Sequence, residues 1–458
     1  MEQSRDLQIQ KKKVPHLVIL PIPFQGHVNP MLQLANLLHS KGFSITVIHT
    51  NFNFPNPSDF PNLRFELIPD GLSDDNKKWT EDPISAVHVL NDSCQESFHD
   101  CLSRLISDGP LGPVTCIITD EIFYCTKDVA DQLKLPRILL GTSSASLVAT
   151  MTSFKLLQQN GLLSISDGEP NTLIPEIPPL RVKDIPDIGT ADPEIFERLG
   201  AETHNAMRSA LGYIMNTFDG LESTELAKIR QDIHPMPLFE VGPLYKFSPG
   251  SSNSILTQDY SCMAWLDKQA PETVIYISFG SSGSFDKKDM VEIAWGLANS
   301  DQPFLWVLRS GSIRGHDSIE LPKGFEEKMQ ERGRIVNWAP QQEVLAHPSV
   351  GGFWTHNGWN STLESICEGV PMLCSPYLWD QNLNARFVSH VWKVGIQLEN
   401  GFNRSEIELA IRRLMVEIEG KKIRERARDL KENAMHCIEK GGSSCESLET
   451  LVDLIMSL

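Results

Sequence analysis

The sequence predicts an α/β protein built from two doubly wound, parallel-sheet domains. Three observations predict it. Short apolar runs of strand length alternate with amphipathic runs of helix length, the pattern of a parallel sheet whose crossover helices cover both faces. The chain has 458 residues, too many for one compact core. Near its middle, the Gly-, Pro- and Ser-rich stretch FEVGPLYKFSPGSSNSILTQD breaks the alternation and reads as a linker.

In chain order, the strand HLVILPI is followed by a helical run, NPMLQLANLLHSKG, and a second strand, FSITVIHT. CIITD, the helix TKDVADQLKL and the strand RILLGT extend this series. Beyond the linker (residues 243–258) a second series opens with TVIYISFGS. A helix near KKDMVEIAWGLANS follows, then FLWVLR, RIVNW, GGFWTH, the helix NSTLESICEG and MLCSPY. Two amphipathic helices, SEIELAIRRLMVEI and KKIRERARDLKENAMHCI, and a short last helix after Gly441-Gly442 complete the chain. The expected division is 1–242, 259–440 and a terminal helix at 441–458. There is no repeat at a solenoid period.

Composition narrows the function. Hydrophobic content of 41% and charged content of 22% are those of a soluble globular protein. A net charge of −18 argues against nucleic-acid or anionic-membrane surfaces, which need clustered cations. Nine Cys without a CxxC pair, an odd number, predict a reduced, cytoplasmic setting. Lys11-Lys12-Lys13 before VPHLVILPIPF has the outline of a signal peptide, but the apolar run is short and holds three prolines. It also lacks a small-residue cleavage site before Gln25, so it reads as a buried first strand. No apolar run approaches the ~20 residues needed to cross a bilayer. Sequons at Asn91, Asn360 and Asn403 are read as chance, since the second lies inside the site proposed below. A monomer is the default expectation.

The most informative stretch is WAPQQEVLAHPSVGGFWTHNGWNSTLESICEGVPMLCSPYLWDQ, from Trp338 to Gln381. GGFWTH reads as a buried strand and NSTLESICEG as a helix capped by Asn360 or Ser361 and stopped by Gly369. Such a junction aims unpaired N–H groups and a positive helix end above the sheet, which suits phosphate. His356 and Ser361 can add donors to the same oxygens. Trp338 offers a flat face to a base, and Glu364 can accept from ribose hydroxyls. Asp380 and Gln381 form a polar pair suited to sugar hydroxyls. An ordinary strand–helix unit explains the apolar residues but not these polar ones at these offsets.

In the first series, PFQGHVNP places His27 in a Gly-containing turn after the first strand, a favourable position for a general base. Taken alone, a His there is more often a turn or packing residue. Asp120, ending CIITD, could likewise simply cap the next helix. Thr142 and Ser143 follow RILLGT and either line an acceptor pocket or cap a turn.

The Trp338–Gln381 segment resembles the signature box of plant family-1 glycosyltransferases, which use UDP-sugars to glycosylate small molecules. The match spans W-A-P-Q, H-x-G-W-N-S, E-S-x-x-E-G-V-P and the final D-Q, including Gly358. One position departs, Asn357, where many members have Cys. FQGHVNPMLQLANLL, SITVIHTNFN and KGGSSCESLETLV resemble the subgroup containing steviol-glycoside glucosyltransferases, so the likeness runs nearly end to end. It implies the GT-B arrangement, two Rossmann-like halves facing a cleft, with the last helix packed back on the N-terminal half. It also implies His27 as base and Asp120 as the carboxylate that orients it. Ser281, with Ser282 beside it, would reach the β-phosphate. Trp338 would stack uracil and the Ala339 backbone read its edge, while Gln341 and Glu364 would hold ribose. His356, Asn360 and Ser361 would take the diphosphate, and Trp359, Asp380 and Gln381 the sugar. A final Gln381 goes with glucose rather than galactose.

G-x-G-x-x-G, G-x-x-x-x-G-K-[ST] and G-x-S-x-G are all absent, which disfavours nicotinamide dehydrogenases, P-loop NTPases and α/β-hydrolases. No D-x-D and no H-x-x-x-H occurs, so no cofactor and no metal is expected. The expectation is an inverting, metal-independent transfer of glucose from UDP-glucose to a hydroxyl or carboxyl of a small lipophilic metabolite, a terpenoid or phenolic. The alternative is a GT-B protein that binds a UDP-sugar or a small metabolite without turnover. Acceptor identity would lie in loops near residues 70–95 and 145–205.

Overall fold

The computed structural model describes residues 14–53, 56–72, 82–159, 169–175, 177–185, 193–247, 256–281, 283–315 and 319–458. Ser282, the 248–255 part of the expected linker and parts of both expected acceptor loops lie outside the described residues.

Two all-parallel sheets organise the chain. The first has seven strands: β1 (His16–Leu20), β2 (Ser44–His49), β3 (Arg64–Leu67), β4 (Val114–Asp120), β5 (Arg137–Gly141), β6 (Gly212–Met215) and β7 (Leu238–Glu240). Their spatial order is β3-β2-β1-β4-β5-β6-β7. The second has β8 (Val274–Ser278), β9 (Phe304–Val307), β10 (Gly333–Val336), β11 (Val350–Thr355), β12 (Met372–Cys374) and β13 (Gly395–Gln397), in the order β10-β9-β8-β11-β12-β13. Each order reverses direction once, between β1 and β4 and between β8 and β11. In open α/β sheets the crevice at such a switch point, beyond the carboxyl ends of the strands, is where ligands bind. Both switch points here carry polar residues of the sequence motifs.

Burial explains the strand composition. Every residue of β1, β5, β8 and β11 is buried, because crossover helices cover both faces, and the strands therefore read as continuous apolar runs. Edge strands are different. β3, RFEL, is exposed or half-buried throughout, which is why an apolar-run criterion passes over it.

The helices of the sequence reading occur with shifted ends. The first spans Gln25–Ser40, starting five residues before Pro30, so His27 sits in a helical first turn rather than in a turn ahead of the helix. The box helix spans Trp359–Glu368 with Gly358 at its N-cap and no side-chain cap. Asn360 and Ser361 thus lie inside the helix instead of capping it, and the N-terminal N–H groups are not consumed by a local side chain. Gly369 does end that helix, at φ +69°.

At the start of the expected linker, Leu244–Phe247 is a short helix with Leu244 and Tyr245 buried. The last helix, Ser443–Met456, returns to the first sheet. Its Leu448, Leu451 and Ile455 are fully or almost fully buried in one cluster with Leu17, Val28, Phe239 and Leu244. Burial of side chains of this kind stabilises by about 1.5–3 kcal/mol each. All nine cysteines are unpaired, and seven are buried. Among the described residues no helix is long and apolar enough to cross a membrane.

Candidate active site

A cavity of about 1170 Å³ is lined by residues of both halves. At its N-terminal wall, His27 follows β1 and Asp120 ends β4. These strands are hydrogen-bonded neighbours, with Leu20 opposite Thr119, so 93 residues of separation collapse to side-chain contact. His27 Nδ1 lies 2.7 Å from Asp120 Oδ2. Asp120 is fully buried while a quarter of the His27 side chain stays accessible. The Thr142 hydroxyl is 2.9 Å from the same Nδ1. With Asp120 as a carboxylate, the proton sits on Nδ1 and is shared with the Thr142 oxygen. Nε2 is then the unprotonated nitrogen. Burial disfavours imidazolium at His27, but the Asp120 carboxylate outweighs it, with Glu121 and Asp380 adding to the same direction, so its pKa is raised above 6.5.

The C-terminal wall is built at the second switch point, where Ser278 of β8 pairs with Thr355 of β11. His356 follows β11, and burial drives its pKa down to about 4 against a small opposing effect of the Ser278 backbone. It is neutral at ordinary pH, and its buried Nδ1 has no hydrogen-bond partner among the described residues. Gly280, at φ +74°, and Gly358 flank the ring; a Cβ on either would come within 2.7 Å and 2.6 Å of Nε2 respectively. Their lack of side chains makes the imidazole's position possible. No Lys or Arg lines the cavity among the described residues. The helix end at Trp359–Glu368, the turn at Ser281 and neutral His356 lie together on this wall, and a helix N-terminus carries a positive dipole end.

Trp338 and Ala339 are buried on this wall, just before the Gln341–Ala346 helix. The Gln341 amide donates to Ser361 Oγ at 2.9 Å and Glu364 Oε2 at 2.7 Å, and Gln342 donates to Glu364 Oε1 at 2.8 Å. Burial raises the Glu364 pKa, while the two amides pull it back. Gln342 was not anticipated from the sequence; a second amide beside Gln341 was the available signal. Asp380 stands at the N-cap position of the Gln381–Arg386 helix without a side-chain capping bond; it accepts from Asn384 at 2.9 Å, and burial lifts it to about 6. Gln381 Oε1 accepts from the Tyr377 and Leu378 N–H groups, both at 2.9 Å, which leaves its amide nitrogen for the cavity. Thr142 and Ser143 line the cavity too.

Two box residues join the halves. The Trp359 indole N–H donates to the Asn216 carbonyl at 2.9 Å, so its ring nitrogen is not available to a sugar. The Asn360 amide donates to the Gly26 carbonyl at 2.8 Å. That carbonyl is free because Pro30, four residues on inside the first helix, has no N–H to give it. Asn357 adopts φ +63°, a conformation Asn tolerates well. Its amide reaches Cys374 Sγ at 3.3 Å.

Two facing parallel-sheet halves with a shared cavity and polar residues at both switch points define a GT-B glycosyltransferase. The sequence matches the UDP-glucoronosyl and UDP-glucosyl transferase family over residues 17–435, and the chain belongs to that family. It is 46% identical to UDP-glycosyltransferase 76B1 of Arabidopsis thaliana, covering 97% of this chain and 98% of that one. UDP-glycosyltransferase 76G1 of Stevia rebaudiana is 44% identical over the full length of both. Flavonol 3-O-glucosyltransferase UGT76E12 of Arabidopsis thaliana is 43% identical over 96% of this chain and 97% of its own. Among solved structures, an anthocyanidin 3-O-glucosyltransferase in complex with UDP superposes with a TM-score of 0.84 at 27% identity, covering 97% of this chain and 99% of that one. Medicago truncatula UGT71G1 complexed with UDP-glucose gives 0.82 at 28% identity, covering 97% and 98%.

Proposed function

We propose that this enzyme transfers glucose from UDP-glucose to a hydroxyl of a small lipophilic acceptor, a phenolic or terpenoid, with inversion and without a metal. The observation that carries the reading is the 2.7 Å hydrogen bond between His27 Nδ1 and buried Asp120, on a cavity whose other wall holds Trp338, His356 and Glu364. His27 Nε2 takes the acceptor's O–H proton as that oxygen bonds to the anomeric carbon. The bond from that carbon to the β-phosphate oxygen breaks, and its electron pair leaves with UDP. The N–H groups opening the Trp359–Glu368 helix and the His356 imidazole stabilise the departing charge. Attack from the face opposite UDP turns an α-linked donor into a β-glucoside. Glu364 and Gln341 hold ribose, and Asp380 and Gln381 hold the glucose hydroxyls. Bound UDP and UDP-glucose in the structural neighbours support the donor, and the flavonol and anthocyanidin named for relatives support a small acceptor. We place the enzyme in the cytoplasm as a monomer, divided near residues 243–258.

The test is UDP release by the purified protein with UDP-glucose and a panel of phenolic and terpenoid acceptors, no metal added, alongside His27→Ala. Acceptor-dependent release that collapses in the variant is expected. Equal release by both proteins refutes His27 as the base, and binding of UDP-glucose with no release for any acceptor refutes turnover.

A further inference from the structure

Glu121 follows Asp120 directly and lines the cavity, and beyond its charge adding to the rise at His27 it has no role in the chemistry described above. Its side chain is buried, and Oε2 accepts a hydrogen bond from the Tyr213 hydroxyl of β6. That hydroxyl passes over Gly141 of β5, where a Cβ would come within 2.3 Å of it. A residue without a side chain thus makes room for the pair. Among the described residues nothing donates to the other oxygen, Oε1. Nor is Oε1 one of the fully enclosed unpartnered atoms, so it opens to the cavity. Among the described residues the N-terminal half contributes one other carboxylate to the wall, Asp232, and that one is exposed. The same cavity wall carries the apolar residues Ile122, Leu147, Val148 and Leu199 beside the polar Thr142, Ser143 and His27.

A buried carboxyl with one oxygen tied and one free is an unmet hydrogen-bond acceptor. Burial pushes Glu121 up to about 7, partly opposed by the Tyr213 hydroxyl; the Asp120 carboxylate adds to the rise and His27 lowers it. A donor arriving at Oε1 favours the ionised form. We propose that Glu121 recognises the acceptor, its free oxygen receiving a hydrogen bond from a second hydroxyl on the molecule whose first hydroxyl faces His27. The acceptors it selects are diols or polyphenols rather than mono-ols or their ethers. This rests on the glucosyl-transfer reading.

The three isomeric dihydroxybenzenes, each paired with its monomethyl ether, test the assignment through kcat/KM for UDP release and through acceptor affinity measured with UDP bound. For at least one isomer the wild type should favour the diol about tenfold or more, the effect of a hydrogen bond to a charged group. Glu121→Gln keeps an oxygen for Tyr213 but turns an N–H₂ group toward the cavity, so this preference should vanish or reverse. A wild type that discriminates no pair, in rate or in affinity, overturns the proposal. So does a Glu121→Gln protein that binds UDP normally and keeps the wild-type ratio. Discrimination in affinity without UDP release would uphold Glu121 while defeating the transferase reading, and release without discrimination would do the reverse.

Discussion

Replacing Asp120 with Asn tests the catalytic dyad most sharply. The substitution keeps the shape of a fully buried side chain but removes its charge from 2.7 Å beside the imidazole. Two losses follow. The carboxylate no longer stabilises the imidazolium that forms as the acceptor is deprotonated. At an effective dielectric of 20, an ion pair at ~4 Å is worth about 4 kcal/mol, or about three powers of ten in rate. The Asn amide can also donate to Nδ1, which moves the ring proton to Nε2 and removes the base altogether. The plateau kcat should therefore fall about 10²–10⁴-fold. The pH profile moves too. In the wild type the His27 pKa is raised, so activity is lost as pH falls through a value above 6.5. Without the Asp120 charge, burial dominates and lowers that pKa, shifting the acid limb to lower pH even as the plateau drops. Rates of UDP release from pH 5 to 9 measure both. A plateau within about threefold of wild type, or an unmoved acid limb, would refute the dyad.

Other predictions concern the second wall and the core. His356→Ala should lower kcat about 10²–10³-fold, the usual effect of deleting one donor to a developing anion. Because burial holds His356 near 4, the wild-type profile between pH 5 and 9 should show no limb that this variant removes. Glu364→Ala leaves the amides of Gln341 and Gln342 without their 2.7 Å and 2.8 Å acceptors. UDP affinity by calorimetry should weaken about tenfold or more, with kcat at saturating donor less affected. Gly358→Ala puts a methyl 2.6 Å from His356 Nε2 and should weaken UDP binding in the same assay. Leu451→Ala, fully buried in the last helix, should cost about 2–5 kcal/mol in denaturant unfolding and leave KM for UDP-glucose unchanged.

Legibility followed sequence distance. The Trp338–Gln381 box could be read because its members are contiguous and their roles attach to a strand and a helix visible as apolar patterns. Three-residue strands such as β7 (Leu238–Glu240) and β13 (Gly395–Gln397) are too short to show a period. Thr142 was readable as a cavity residue, but its contact with His27 depends on β5 lying beside β4, a pairing that no local pattern encodes. Glu121 was missed for a related reason. Its partner Tyr213 is 92 residues away, and one acid after another at a strand end is unremarkable until the neighbour across the sheet is known. Helix starts were misjudged where Pro30 and Asn360 invited a local explanation and tertiary contacts supplied a different one.

Pro30 gives the first helix an oxygen with no internal claimant, and the Asn360 amide from the other half takes it at 2.8 Å. What looks like a flaw in one helix is thus the mating surface for another. Any residue with an N–H at position 30 would mend the ladder and set a rival donor on the Gly26 carbonyl. A change that improves the helix taken by itself would therefore make the Asn360 amide share that oxygen's two lone pairs with a second donor.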